Sequence, residues 1–281
     1  MMKLKSLVAL PAVALIVAGA ATGCAGAASS EAKGVEAKAK AGQLTIGIVF
    51  DRPGLSQKNP DGSLSGFDVD VAKYVAGKLG VPESGIKWQE APTAQRENLI
   101  QNGQVDYIVA AYTINDARKE KISFAGPYLT VGQSLLVRAD TTDITGPESL
   151  NSGKKLCSTA GSVPAQNIKK NYSKDVQLQE YDTNAACVEA LKSGAVDAIS
   201  TDDIVLAGYA ATNAGKLKVV GKPFTKDSYG IGLKKDDTAG RAKINDAIED
   251  MIKDGSWAKA FEKNLGPSGY QPPAAPAVNR Y

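Results

Sequence analysis

The sequence predicts an α/β protein made of two similar lobes, each with a twisted mixed sheet that carries helices on both faces. Short apolar runs alternate with helical periodicity between residues 42 and 265, which is typical of alternating strands and helices. The chain has 281 residues, enough for two compact domains of roughly 100 residues each. One helix–glycine–strand unit also occurs twice, its copies about 90 residues apart, roughly one domain length.

The first 41 residues are predicted to target and tether the protein. Lys3 and Lys5 precede an apolar run over residues 7–21, which is too short for a stable membrane-spanning helix. We therefore predict a signal peptide over residues 1–23. Residues 24–41 are rich in Ala, Lys, Glu, Gly and Ser without apolar periodicity, as expected of a flexible tether.

A cysteine follows the predicted signal peptide directly. Residues 21–24, Ala-Thr-Gly-Cys, resemble a bacterial lipobox, which implies that Cys24 becomes the lipidated first residue and carries several acyl chains. We expect a lipid-anchored protein at the extracellular face of the cell membrane (Gram-positive), or a periplasmic one. The alternative is an ordinary signal peptide followed by an incidental cysteine.

Two strands and a helix are predicted in the first part of the folded region. Residues 44–50 are typical of a strand buried on both faces, and Asp61 with Gly62 marks a turn. A second strand is expected over residues 105–111. Between these strands, apolar side chains recur at helical spacing until Gly80 ends the helix: Phe67, Val71, Tyr74, Val75 and Leu79.

The rest of the chain continues the alternation. We predict strands at residues 133–137, 195–200, 216–220 and 229–233, and helices around 164–171, 185–193 and 239–263. Residues 266–281 contain Pro272, Pro273 and Pro276, and this tail is predicted to be disordered.

The repeated unit indicates where a ligand would bind. Residues 99–108 (LIQNGQVDYI) and 190–199 (ALKSGAVDAI) each combine a helix end, a glycine stop and a buried strand. Ligands of open α/β sheets bind beyond the carboxyl ends of strands. Those ends are residues 111–113 and 201–202, so a ligand held between two lobes would touch both.

Composition excludes several classes of function. The chain has no histidine, which excludes Ser-His-Asp and Cys-His catalysis and removes the commonest zinc ligand. The net charge is +3 with acids and bases interspersed, so we expect no nucleic acid partner, and also no metal and no cofactor. An exported chain permits disulfides, and we predict one between Cys157 and Cys187; the alternative is two separate buried thiols.

Four short segments carry a family resemblance. They are GFDVDVA at 66–72, TINDAR at 113–118, FAGPY at 124–128 and SYGIG at 228–232. In this order and spacing they resemble the bacterial extracellular solute-binding proteins for polar amino acids, family 3 of the ABC transporter binding proteins. The likeness is greatest to the glutamate-binding lipoproteins of actinobacteria.

The resemblance implies the two-lobe fold of type II periplasmic binding proteins, in which two crossover strands join the lobes. It places lobe one at residues 42–137 plus 224–265, and lobe two at 138–223. The crossovers would be residues 134–139 and 229–234.

A free amino acid presents a carboxylate and an ammonium group. Arg118 suits the carboxylate because a guanidinium offers two parallel donors, and the resemblance places it there with the hydroxyl and N–H of Thr113. From lobe two the resemblance adds Ser162 and the N–H of Val163, at a helix start where free N–H groups favour anions. Without the resemblance, Arg118 is interpreted as a surface residue and Ser162 as a helix N-cap.

The ammonium group is assigned mainly to lobe two. Asp202 ends the second repeated strand and matches the family's aspartate that accepts the α-ammonium. Asp203 is the alternative, and either residue can instead cap the helix that begins at Ile204. The backbone carbonyl of Ala111 is a second acceptor.

Selectivity is assigned to other residues. In relatives that bind glutamate or aspartate, an arginine matching Arg96 meets the side-chain carboxylate; otherwise Arg96 is a helix-surface residue. Arg52, just after the first strand, is a second candidate for this pocket. Phe50 is predicted to line the cleft, whereas core packing is preferred for Tyr112 and Tyr128.

These assignments predict the monomeric substrate-binding lipoprotein of an ABC importer, which captures glutamate, then aspartate, between closing lobes and delivers it to a membrane permease. The alternatives are a binding protein for glutamine or another polar amino acid, and a dehydratase-like enzyme on the same fold. An enzyme would need a cleft acid that protonates a leaving group. The sequence points to none, so we predict no enzymatic activity.

Overall fold

The computed structural model describes residues 34–280 except Ser152 and Ser173. The predicted signal peptide, residues 1–23, and the predicted lipidation site, Cys24, lie outside the described residues. Among the described residues, no helix is long and apolar enough to cross a membrane.

The secondary structure of the described region alternates strands and helices. The strands are β1 (Leu44–Ile48), β2 (Asp51–Arg52), β3 (Ser56–Lys58), β4 (Leu64–Ser65), β5 (Ile86–Glu90), β6 (Tyr107–Ile108), β7 (Ser123–Val131), β8 (Gln133–Arg138), β9 (Lys155–Thr159), β10 (Gln177–Tyr181), β11 (Ala198–Asp202), β12 (Leu217–Val220) and β13 (Asp227–Leu233). The helices are α1 (Val35–Lys40), α2 (Phe67–Lys78), α3 (Arg96–Gln101), α4 (Asp116–Lys119), α5 (Pro164–Asn171), α6 (Asn184–Lys192), α7 (Asp203–Thr212), α8 (Thr238–Lys253) and α9 (Ser256–Leu265).

Lobe one is built on a five-stranded sheet with the strand order β5-β1-β6-β13-β7. β1 is parallel to β5 and β6, whereas β13 is antiparallel to β6 and β7. Neighbouring residues of a strand lie on opposite faces: Tyr107 packs in the cluster with α2, α8 and α9, and Ile108 in the cluster with α3. Burial of both faces explains the continuous apolar run at this strand.

Lobe two repeats this construction in a second five-stranded sheet, with the order β10-β9-β11-β8-β12. Its β11 is parallel to β9 and antiparallel to β8. The strands of the two repeated units, β6 and β11, hold the same middle position in their sheets. The two-lobe α/β fold is therefore confirmed.

The chain crosses between the sheets twice, and the first crossing comes earlier than predicted. β7 ends in the first sheet at Val131, and β8 begins in the second at Gln133. Residues 133–137, predicted in lobe one, therefore belong to lobe two. The apolar run of β8 indicates a buried strand, but only its pairing with β11 shows which sheet it joins. The second crossing lies between β12 and β13. The predicted crossover segments therefore coincide with single strands: residues 134–139 with β8 of the second sheet, and residues 229–234 with β13 of the first.

The end of the predicted tether is folded. Residues 34–41 contain α1, whose Val35 and Ala39 are buried and which contacts α8. The Val35 N–H donates to Asp237 Oδ2 at 2.7 Å. Two buried apolar residues are too few to produce a helical period, which is why the sequence does not show this helix.

The tail was predicted to be disordered, but residues 266–280 lie against the folded lobes. The ring of Tyr270 packs beside that of Phe261, with centroids 6.3 Å apart. Near the end, Arg280 pairs with Asp246 at 2.7 Å. A proline-rich segment held by single side chains carries no periodic signal, so its composition alone was misleading.

Cys157 on β9 and Cys187 on α6 form a disulfide, with their Cα atoms 5.7 Å apart and a sequence separation of 30. In the chain-entropy account, closing a loop of this length stabilises a protein by about 3–4 kcal/mol. We expect the double variant Cys157→Ser, Cys187→Ser to lose about that much free energy of unfolding in guanidinium denaturation. Thiols that alkylate in the native, unreduced protein would contradict the bond.

Candidate functional site

The carboxyl ends of β6 and β11 lie together at the junction of the lobes, and Tyr229 connects them. The backbone of Tyr229 pairs with the segment after β6 at Thr113. Its hydroxyl donates to Asp202 Oδ2, at the end of β11, over 2.5 Å. Both strand ends therefore contribute to one site, as in other open α/β sheets.

Arg118 is buried beside Thr113, so it is not the surface residue of the alternative interpretation. Its Nη1 donates to the Thr113 carbonyl at 2.8 Å, and its Nε pairs with Glu97 at 3.3 Å. The guanidinium carbon lies 4.9 Å from the ring centre of Tyr112. Within the described residues, neither the N–H nor the hydroxyl of Thr113 has a hydrogen-bond partner. These donors form a surface suited to a carboxylate.

Arg96 is buried more completely, with 1% of its surface exposed. Its Nε donates to the Ala91 carbonyl at 3.2 Å, whereas its Nη2 has no partner in the described part of the chain. Burial, and then the positive charges of Arg52 and Arg118, lower the pKa of Arg96 to about 9. An anion at Nη2 would relieve both unfavourable effects.

Arg52 and Phe50 both follow β1, and the structure separates them. Arg52 is buried and its Nη1 donates to the Ala110 carbonyl at 2.7 Å, while its Nε has no partner among the described residues. It lines a cavity of about 240 Å³ between the lobes. Phe50 lines a different groove of lobe one, where Lys58 Nζ lies 5.3 Å from its ring centre. The structure does not bring Phe50 to the arginines.

Ser162 and Val163 precede α5 in a loop of lobe two that touches lobe one. A Cβ added at Gly161 (φ 74°) would lie 2.9 Å from the Cα of Ala94. Ser162 Oγ lies 2.6 Å from Ser158 Oγ and makes no capping bond to α5, so the capping alternative is wrong. The N–H of Val163 has no hydrogen-bond partner within the described residues, and it lies at a helix start, where anions are favoured.

The two candidate aspartates have different surroundings. Asp203 Oδ1 accepts the N–H of Ile204 at 2.8 Å and that of Gly132 at 3.2 Å, so it connects the start of α7 to the crossing between β7 and β8. The side chain of Asp202 is buried and accepts one hydrogen bond within the described residues, from the Tyr229 hydroxyl. Burial raises the pKa of Asp202 to about 6, and the Tyr229 hydrogen bond opposes this rise. A bound ammonium group would favour the ionised form further.

Ala111 has an unusual backbone. Its φ is 46°, a left-handed value that is uncommon for a residue other than glycine. Its N–H donates to Asp68 Oδ2 at 2.7 Å. No hydrogen bond within the described residues reaches its carbonyl, which leaves that oxygen available as an acceptor.

The lobes also touch away from the charged groups. Asp51 Oδ2 on β2 accepts the Ala185 N–H at the start of α6 over 3.0 Å, and the Tyr209 hydroxyl of α7 donates to the Asp51 carbonyl. On the same helix, a Cβ added at Gly208 would collide with the carbonyl of Pro53. The described lobes are therefore closed on each other.

Three further residues support the site, although none of them is predicted from the sequence to bind the ligand. Tyr112 packs in the core, as predicted, with its ring centre 4.9 Å from that of Phe124. Its ring also lies beneath the guanidinium groups of Arg96 and Arg118. Tyr229 links the lobes. Asp68 is an acid on the buried face of α2. It lies seven residues before Val75, and this helical spacing indicates that the acid shares the buried face.

Two sheets joined by two crossings, with a buried acid in one lobe and buried arginines in the other, define a two-lobed ligand-binding protein. The family model for bacterial extracellular solute-binding proteins, family 3, matches residues 44–267. The chain belongs to this family, which confirms the resemblance seen in the four segments.

Individual relatives agree with this assignment. The glutamate-binding protein GluB of Corynebacterium efficiens is 49% identical over 83% of this chain and 82% of its own. The ABC transporter glutamine-binding protein GlnH of Bacillus subtilis is 34% identical, over 92% of this chain and 94% of its own. Among solved structures, an ancestral arginine-binding protein bound to glutamine has a TM-score of 0.75 at 34% identity, covering 80% of this chain and 98% of that one.

Proposed function

We propose that the protein is the substrate-binding lipoprotein of an ABC importer, and that it captures glutamate, and less tightly aspartate, between its lobes. The observation that carries the proposal is the trio of buried arginines, Arg52, Arg96 and Arg118. Two of them have guanidinium nitrogens without partners in the described residues. A ligand with two carboxylates satisfies such a site better than one with a neutral side chain.

Each group of the ligand has a proposed partner. The ammonium group binds Asp202 and the Ala111 carbonyl, which lacks another hydrogen bond within the described residues. The side-chain carboxylate binds Arg96, with Arg52 beside it. The α-carboxylate binds four residues drawn from both lobes: Arg118, Thr113, Ser162 and Val163. A ligand that contacts both lobes stabilises the closed form, which is the form that a membrane permease would recognise.

The relatives support a polar amino acid and leave two candidates. A relative about half identical is named for glutamate, and a more distant one for glutamine, so glutamine is the second candidate. No enzymatic role is proposed, because the buried acids Asp68 and Asp202 each accept a hydrogen bond from a tyrosine. Neither is placed as a free acid that protonates a leaving group.

Small-angle scattering tests lobe closure. Glutamate is expected to reduce the radius of gyration, because the open form closes on its ligand, whereas leucine leaves it unchanged. A radius that does not respond to glutamate would oppose the proposal. Recovery of the ligand after long incubation, measured by NMR, tests the enzyme alternative, since any product formed would favour it.

We propose that Cys24 carries the lipid anchor, on the lipobox-like residues before it. Cys24→Ser is expected to release the protein from the cell membrane or to block its processing, because the acylated residue is lost. Fractionation of cells expressing each form measures this, with Ala27→Ser as a control that stays on the membrane. Tight membrane association of the Cys24→Ser protein would contradict the anchor.

A further inference from the structure

Asp68, in the first turn of α2, is an acid with none of its surface exposed. Its Oδ2 accepts the Ala111 N–H at 2.7 Å, and its Oδ1 accepts the Tyr128 hydroxyl at 2.8 Å. The positive charges that act on it belong to Arg52 and Arg96. A buried acid is unfavourable unless hydrogen bonds and opposite charges compensate it, and Asp68 finds both at the edge of the ligand site.

The first consequence concerns the backbone that meets the ligand. The left-handed conformation of Ala111 is unfavourable for a residue with a Cβ. Asp68 holds the N–H of this residue, while Arg52 Nη1 holds the preceding carbonyl, that of Ala110, at 2.7 Å. Two oppositely charged side chains thus fix the peptide between Ala110 and Ala111, which positions the backbone from which the free Ala111 carbonyl projects.

The second consequence concerns charge. Glu97 pairs with Arg118, but within the described residues no salt bridge reaches Arg52 or Arg96. The carboxylate of Asp68 is a buried negative charge that acts on both of them, in addition to Glu97, which acts on Arg96. It therefore cancels part of the positive potential that the side chain of a ligand meets.

We propose that Asp68 is a positioning residue that sets both affinity and selectivity. It fixes Ala111 for the ammonium group, and its charge moderates the preference of Arg52 and Arg96 for an acidic side chain. This rests on the proposed function, since it takes the ligand's side chain to lie beside those arginines. The two roles are separable, because the hydrogen bonds act on every amino acid alike, whereas the charge acts on the difference between glutamate and glutamine.

Calorimetric titration of the protein with glutamate and with glutamine tests both roles. It is done at pH 8, where Asp68 is ionised, because burial raises its pKa only to about 6. Asp68→Asn keeps an acceptor for the Ala111 N–H but removes the charge, and the glutamate-to-glutamine affinity ratio should rise about 5- to 30-fold. Asp68→Ala also removes the hydrogen bonds, and should bind both ligands about 10-fold more weakly than Asp68→Asn does.

Asp70 provides the matched control. It lies in the same helix turn and pairs with Lys263 at 2.9 Å. Asp70→Asn makes the same chemical change away from the arginines, and its affinity ratio is expected to equal that of the native protein. An increased ratio in this control as well would show that the effect is one of net charge, which overturns the proposal.

A second pair of variants keeps the test decisive if Asp68→Asn does not fold. Arg52→Gln removes one positive charge and should lower the glutamate-to-glutamine affinity ratio. Adding Asp68→Asn removes one negative charge, which restores the net charge around the ligand's side chain, and should raise the ratio again. A ratio that Asp68→Asn leaves unchanged in each background that folds overturns the role in selectivity, and native affinity in Asp68→Ala overturns the positioning role. If the native protein does not prefer glutamate, the proposed function fails instead, and that is seen before any variant is made.

Discussion

Alanine at either Arg118 or Asp202 is expected to weaken the binding of every amino acid by at least roughly 30-fold. In the proposed site these residues bind, from opposite lobes, the groups that all amino acids share. Removing one partner of a buried, hydrogen-bonded charge pair costs about 2–5 kcal/mol, which weakens binding by roughly 30- to 3,000-fold at 1.4 kcal/mol per factor of ten. Isothermal titration calorimetry with glutamate and glutamine measures the loss for each variant.

Neighbouring residues supply the controls for this prediction. Asp203→Ala removes an acid that bonds local backbone N–H groups, and Lys121→Ala removes an exposed cation close to Arg118 in sequence. Both controls should bind far more tightly than the two test variants. Near-native affinity in Arg118→Ala or Asp202→Ala would mean that the head group binds elsewhere.

Arg96→Ala is expected to weaken glutamate by roughly 30-fold or more, and glutamine by much less. In the native protein, an amide side chain would leave the buried guanidinium without a counter-charge, whereas a carboxylate satisfies it. Sites with specific polar groups discriminate strongly between near-isosteres, because the wrong ligand leaves those groups unpaired. The measurement is the ratio of the two dissociation constants in native protein and variant. Lysine and arginine should bind neither form.

A second arginine variant shows how the charge is shared. Arg52→Ala should reduce the same ratio by less than Arg96→Ala does if Arg52 only assists. Equal weakening of glutamate and glutamine by Arg96→Ala would assign that residue to stability of the closed form, and would contradict its role in selectivity.

The fold was predictable where its pattern repeats. The helix–glycine–strand unit appears in both lobes because β6 and β11 occupy the same place in similar sheets. The apolar pattern was less informative where a helix is interrupted. Residues 239–263, predicted as one helix, form two, because Gly255 has a φ of 79° between α8 and α9. The apolar spacing continues across this glycine and does not show the interruption. The edge strand β10 is only partly buried, so it left no apolar run to detect.

The place of the candidate site was predictable from the two strand ends, which Tyr229 connects, whereas the ligand contacts of Arg118 and Asp202 stay predictions. Side-chain placement was not predictable just after β1, where the chain enters a hairpin, because strand alternation no longer fixes the side on which a side chain lies. Phe50 and Arg52 illustrate this, since they line different cavities. The role of Asp68 depends on contacts with Ala111 and Tyr128, more than 40 residues away in sequence, which no local pattern reports.

The central claim is that buried arginines select an amino acid with an acidic side chain. Titration of the native protein with glutamate and glutamine, side by side under the same conditions, tests it most directly, because the two ligands differ by little more than one charge. The account predicts that glutamine binds roughly 30-fold or more weakly than glutamate, with aspartate weaker than glutamate. Glutamine binding as tight as that of glutamate would contradict it.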